Sequence, residues 1–170
     1  MGSDVTVKDM VLPDLGLAAG MAIWGFRAAI VGTARCHVVL WGYEQALAND
    51  GAPTLGDMIR LTKLFARYGR RKVRIGCPGT SDVTPDEMSV AAMFAAAQAE
   101  HEEAVKAHAR WLLARDVPTE IVEIVMRIAA QFAHHGMTMK MISVSREVPM
   151  ETPAPHQASL HLVQRQSGHA

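Results

Sequence analysis

Apolar side chains recur along this chain at helical spacing, in blocks that polar turn residues separate. Residues 15–47 are strongly apolar and predict either two helices or one long helix broken around Gly32. A second apolar stripe follows Thr54, which we expect to cap a helix that ends at Gly69. A third stripe over residues 121–132 predicts another amphipathic helix. The pattern is therefore mainly that of packed helices.

The clearest local signal is the sequence Thr-Pro-Asp-Glu at residues 84–87. Thr84 is a favoured N-cap residue, proline is tolerated at the first helical position, and Glu87 stands where a capping box needs it. An alanine-rich helix should begin here. It either continues to Arg115 or pauses near His101.

Residues 73–75 and 138–142 alternate apolar and polar side chains as strands do. The other segments favour helices, whose apolar stripes need a shared core. We therefore predict an all-α fold, a compact bundle of about five helices, with room for one very short strand pair. We assign residues 1–13 to a flexible leader, 14–144 to the helical domain and 145–170 to a mobile tail that contains prolines.

The composition is that of an ordinary globular domain. Of the 170 residues, 49% are hydrophobic and 20% are charged, and the formal net charge is zero, which argues against a protein that coats nucleic acid. Two cysteines do not make a disulfide framework in a chain of this length. The first residues lack the basic segment of a signal peptide, so we expect a cytoplasmic protein.

Residues 15–32 form an apolar stretch of nearly membrane-spanning length. Arg27 lies near its middle, and a central arginine is costly in a spanning helix. We therefore predict a buried core helix here and no membrane span.

The strongest functional signal is a basic run. It contains seven of the chain's 17 lysines and arginines, and no acidic residue interrupts it between Asp57 and Asp82. The run could be a solvated helix face, or a surface for an anionic macromolecule. We predict a non-enzymatic regulatory or adaptor protein that binds an acidic protein or a nucleic acid through these cations: Arg60, Lys63, Arg67, Arg70, Arg71, Lys72 and Arg74.

The loop of residues 76–84 leads into the alanine-rich helix beside these cations. Free amides at the start of a helix can hold an anion. Asp82, Asp86 and Glu87 argue against such a site, because they would repel an anion and already complement the helix dipole. We therefore interpret this loop as a capped turn.

An alternative function is a metal- or haem-responsive sensor. One version uses Cys77, whose thiol stands near cations and before a proline. The other uses imidazoles and thioethers, a set that suits copper, from His134, His135, Met137, Met139 and Met141. The competing interpretation is a helix-end histidine pair beside core methionines. We assign no metal and no cofactor.

Other chemistry finds less support. Residues 100–108 are rich in glutamate and histidine, but they lack the Glu-x-x-His spacing of a di-iron site. The chain has no Gly-x-Ser-x-Gly elbow and no evident Ser/His/Asp arrangement, so nothing in the sequence supports an enzyme. Surfaces rich in alanine and methionine could pack against a second copy, so the composition is compatible with either a monomer or a homodimer.

Three segments, residues 24–28, 71–79 and 83–87, resemble small helical proteins of uncharacterised function from alphaproteobacteria. The resemblance covers residues 20–135. It implies a bacterial, single-domain, mostly helical protein, and it supplies no site residues.

Overall fold

The computed structural model describes residues 10–141, which form six α-helices joined by short turns and, before the fourth helix, by a long loop over residues 69–84. The helices are α1 Leu17–Val31, α2 His37–Leu47, α3 Gly51–Tyr68, α4 Pro85–Gln98, α5 Glu102–Leu113 and α6 Thr119–His134. Short 3-10 turns at Leu12–Leu15 and Ala48–Asp50 precede α1 and α3. The predicted all-α bundle is confirmed. None of the helices within the described residues has the length and apolar character needed to cross a membrane.

Helix α4 forms the centre of the bundle. Nearly all of its residues are buried, from Asp86 to Ala97. A helix that is buried on every side needs apolar residues all round, and its alanines let neighbouring helices approach closely. Helices α1, α5 and α6 pack against it, while α2 and α3 complete the bundle on the other side of α1 and α6.

The helices break at the two places where the sequence allowed either one long helix or two shorter ones. Gly32 has a φ of 82° and ends α1, so the first apolar stretch is two helices. The alanine-rich stretch also divides, since α4 ends at Gln98, Glu100 has a φ of 57° and α5 begins at Glu102. These two divisions give six helices where about five were expected.

The prediction that Thr54 caps α3 is wrong. The helix begins at Gly51, so Pro53 lies in the first turn, where its missing N–H leaves no gap in the helical ladder. A Cβ at Gly51 would lie 2.6 Å from the carbonyl carbon of Tyr43, so glycine lets α3 begin directly against α2. Thr54 is buried inside the helix, and its hydroxyl makes no hydrogen bond within the described residues.

The short strand pair for which the sequence left room does not form, because neither segment is a strand within residues 10–141. Side chains of α4 take the backbone amides that strand pairing would have used. The Arg74 amide donates to the Asp86 carboxylate over 2.7 Å. The Met139 amide donates to the Gln98 side-chain oxygen over 2.7 Å. An extended segment whose backbone amide already has a hydrogen-bond partner gains less from pairing with another strand.

Residues 10–13 of the predicted leader lie along the loop that precedes α4. The Leu12 amide donates to the Ser81 carbonyl over 2.8 Å, and the Val83 amide donates to the Met10 carbonyl over 3.2 Å. Met10 and Leu12 are partly buried against the core. The start of the described chain therefore holds the outer side of this loop.

Candidate functional site

A buried arginine organises the region around the basic run. Arg27 is fully buried in α1, and so is Glu87 in the first turn of α4. The Arg27 Nε donates to Glu87 Oε1 over 2.6 Å, and Nη2 donates to Glu87 Oε2 over 2.9 Å. This bidentate pair joins two helices through charge-assisted hydrogen bonds.

The other N–H groups of Arg27 hold the loop before α4. Nη1 donates to the carbonyls of Thr80 and Cys77 over 2.7 Å and 3.3 Å, and Nη2 donates to the Asp82 carbonyl over 2.5 Å. A Cβ at Gly76 would lie 2.5 Å from Arg27 Nη2, so only glycine lets the backbone lie this close to the guanidinium. An otherwise exposed loop is thus attached to a buried side chain.

Glu87 also completes the predicted capping box. Its Oε2 accepts the Thr84 amide over 2.9 Å, while the Glu87 amide donates to the Thr84 hydroxyl over 3.1 Å. Its Oε1 accepts the Gly76 amide over 2.9 Å. One carboxylate therefore caps a helix, fixes a loop and neutralises a buried arginine.

A second arginine–carboxylate pair lies beside the first. Arg71 donates from Nη1 and Nη2 to the two oxygens of Asp86, over 3.0 Å and 2.7 Å. Its Nε donates to the Trp111 carbonyl over 3.0 Å, and its guanidinium lies 5.1 Å from the centroid of the Trp111 ring. Arg71, predicted as a binding residue, is thus held by contacts within the protein. Asp86 and Glu87, predicted to repel an anion, are each neutralised by an arginine.

These contacts set the direction of two pKa values. Burial raises the pKa of Glu87, but hydrogen bonds from Arg27, Thr84 and Gly76 outweigh burial and hold this pKa below its ordinary value of 4.5. Burial likewise opposes the hydrogen bonds from Arg71 and Arg74, which hold the pKa of Asp86 below 3.8. Both carboxyls stay ionised in the folded protein at neutral pH.

We expect acid to destabilise the protein through these groups. A lowered folded pKa gives stability that is complete above the unfolded pKa and is lost as the pH falls through the folded value. The urea concentration at the unfolding midpoint should therefore decline as the pH falls below the ordinary pKa values, which are 4.5 for Glu87 and 3.8 for Asp86. The variant Asp86→Asn should show a shallower decline, and a midpoint unchanged by acid would contradict the prediction.

An arginine-rich pocket opens next to the Arg71–Asp86 pair, and we call it the basic pocket. Its volume is about 910 Å³. Five arginines and two aspartates surround apolar atoms of Pro85, Ala107, Ala114 and Trp111. The charged residues that line it are Arg70, Arg71, Arg74, Arg110, Arg115, Asp86 and Asp116. Trp111 is 44% exposed, so the pocket offers an aromatic surface among cations.

The sequence interpretation missed Arg110 and Arg115, which lie at the end of α5. They reach the basic run because the ends of α3 and α5 meet: the Arg70 amide donates to the Leu113 carbonyl over 2.9 Å. Arg115 donates to the Tyr68 carbonyl over 3.4 Å and lies 5.8 Å from the Tyr68 ring centroid. Charge density along the sequence could not find them, because each stands apart from the basic run.

The other cations of the run lie elsewhere. Arg60 forms an ion pair with Glu120 and lines, with Lys63 and Arg35, a separate cavity of about 580 Å³. Lys72 and Lys63 line a third cavity of about 570 Å³, which shares Arg70 and Arg71 with the basic pocket. Arg67 lies 5.4 Å over the Tyr68 ring. Most cations of one basic sequence run are thus spread over three cavities, of which the third shares residues with the other two.

The residues of the alternative sensor hypothesis are also dispersed. Cys77 is an exposed free thiol in the loop that Arg27 holds. Met139 is buried in the core, Met137 packs against the core, and Met141 is 58% exposed. His134 and His135 stand at the end of α6, with ring centroids 5.2 Å apart. Within the described residues, the three methionines therefore lie in different surroundings.

No protein-family model, no curated protein and no solved structure matches this chain. The resemblance to small alphaproteobacterial helical proteins therefore stays a prediction.

Proposed function

We propose that this chain is a non-enzymatic regulatory or adaptor protein that docks an acidic segment of a partner protein in the basic pocket. The observation that supports this function is the convergence of arginines from two distant parts of the sequence around an exposed tryptophan. Arginine and tryptophan are enriched among the residues that dominate protein–protein binding energy.

Three exposed cations of the pocket are suited to carboxylates. Neither the Arg70 nor the Arg74 guanidinium forms an ion pair within residues 10–141, and both residues are exposed. In the same part of the chain, Arg110 has one distant ion-pair partner, with 3.9 Å between its Nε and the carboxylate of Asp116. A planar guanidinium binds a carboxylate through two parallel hydrogen bonds, which a lysine cannot do.

The shape favours a peptide over a nucleic acid. A non-specific nucleic-acid surface follows a phosphate backbone with a continuous basic groove and stacks bases on aromatic rings. Among the described residues, the lining of the basic pocket instead contains a single aromatic side chain, Trp111, and its cations surround apolar atoms. Acidic side chains flanking an apolar one would complement that combination.

The test is fluorescence anisotropy with two labelled probes, an oligo-glutamate peptide carrying one central phenylalanine and a single-stranded oligothymidine. We expect the peptide to bind more tightly than the oligothymidine, and more weakly at physiological salt than at low salt. The triple variant R70Q/R74Q/R110Q should weaken peptide binding by about 1.5 kcal/mol per lost contact, or roughly tenfold each.

The matched control is the triple variant K63Q/R67Q/K72Q. It removes the same number of positive charges, all of them from the basic run, and none of its three residues lines the basic pocket. Equal weakening by both triple variants would show that binding depends only on overall charge, and it would refute the basic pocket as the binding site. Tighter binding of oligothymidine would replace the proposal with nucleic-acid binding.

We further propose a cytoplasmic location. The two cysteines, Cys36 and Cys77, are both exposed free thiols, a state that a reducing compartment maintains.

A further inference from the structure

Three side chains of types that can ligate a metal meet where the end of α6 lies beside the turn between α2 and α3. Asp50 ends the 3-10 turn before α3, His134 is the last residue of α6, and His135 follows it. Each offers one ligand atom, and these atoms all lie within 4.8 Å of one another. His135 Nε2 lies 2.9 Å from the Asp50 carboxylate, across 85 residues of sequence. We name these three residues the Asp-His-His cluster.

The local backbone directs these groups toward one point. Asp50 occupies the N-cap position of α3, but its carboxylate makes no capping hydrogen bond and faces His135 instead. Gly136, with a φ of 71°, ends the α6 segment immediately after the two histidines. The carbonyl ends of α6 add negative potential, which favours a cation beside them.

The cluster has the donor set of a divalent transition-metal site. Two imidazole nitrogens and one carboxylate oxygen are ligands that zinc accepts at about 2.0–2.2 Å, with water in the remaining position. Ligand atoms around such an ion lie roughly 3.4 Å apart, and the ligand atoms of the cluster are near this spacing, since all lie within 4.8 Å of one another. The side chains of His135 and Asp50 are 22% and 37% exposed, so an ion can enter from solvent.

We propose that Asp50, His134 and His135 bind a divalent transition-metal ion of the zinc class. This site retains the two histidines of the sensor hypothesis and replaces its methionines with an aspartate that the sequence did not indicate. It is independent of the basic pocket, which no residue of the cluster lines. Bound metal would join the end of α6 to the start of α3.

The test uses the full chain without an affinity tag, stripped with a chelator and titrated with zinc chloride by calorimetry. We expect one tight ion per chain, and a loss of about tenfold or more in affinity for Asp50→Asn and for His134→Gln. The control is His37→Gln, an exposed histidine at the start of α2, which should leave zinc affinity unchanged.

A second measurement identifies the donors. Bound Co²⁺ should show visible absorption bands without thiolate-to-cobalt charge transfer, because Cys36 and Cys77 are not in the cluster. Circular dichroism of each variant confirms that it is folded before titration. Absence of tight zinc binding, equal weakening by His37→Gln and His134→Gln, or a thiolate band would each overturn the proposal.

Discussion

Replacing Arg27 with leucine is expected to lower the free energy of unfolding by about 3–5 kcal/mol, measured by urea denaturation. The substitution leaves the Glu87 carboxylate buried without its cation. It also removes the donors that the carbonyls of Cys77, Thr80 and Asp82 use. A buried polar group that loses its partner bears the full cost of its desolvation.

Two controls separate this arrangement from an ordinary ion pair. Arg127→Leu breaks a bidentate pair with Asp57 whose arginine side chain is 47% exposed, and we expect a loss of about 1 kcal/mol or less. The double variant R27L/E87L removes both buried charges, which often restores stability when the pair stands alone. Here it should not, because the loop carbonyls and the amides of Gly76 and Thr84 also lose partners. Recovery to wild-type stability would refute the role of Arg27 in holding the loop.

Gly25→Ala should produce the next largest loss, about 3 kcal/mol, because it overpacks a rigid contact between α1 and α2. A Cβ at Gly25 would lie 1.9 Å from the Tyr43 hydroxyl oxygen. Tyr43 is fully buried, its hydroxyl donates to the Met21 carbonyl over 2.8 Å, and its ring meets Phe132 edge-on. The hydrogen bond and the ring contact therefore oppose a shift of Tyr43 away from the new methyl group.

The same substitution elsewhere should have the opposite sign. A Cβ at Gly56, exposed in α3, would meet no atom within 4 Å. Gly56→Ala should therefore stabilise the protein by about 0.5–1 kcal/mol through helix propensity. Adding Tyr43→Phe to Gly25→Ala should recover part of the loss, since it removes the closest atom. Equal denaturation midpoints for the two alanine variants would contradict this account of α1–α2 packing.

Local chemistry was predictable from the sequence where neighbouring residues decide it. The capping box of Thr84 and Glu87 was predicted, and so were the ends of α1 and α3, because the residues that start or stop a helix stand next to it. The strand pair failed for the converse reason. Alternation marks an extended segment, but only the fold reveals that side chains such as Asp86 and Gln98 take its amides.

The candidate sites depend on long-range contacts that composition does not encode. Arg27 served in the sequence only as an argument against a membrane helix, since Glu87 stands 60 residues away. The density of the basic run indicated cations but not their partners, so Arg71 was counted as free and Arg110 was missed. Asp50 marked only a helix boundary until folding brought His135 beside it.

The attachment of the loop to Arg27 also bears on resistance to proteases. Exposed loops containing glycine and proline are ordinarily where a protease cuts first, because they open without disturbing the rest of the fold. Residues 77–82 are all exposed, yet three of their carbonyls bind one fully buried guanidinium. A protease needs an extended, detached segment, and detaching this one would uncover the charges of Arg27 and Glu87. Cleavage here therefore requires opening of the core, and we expect this surface loop to be cut no faster than the core opens.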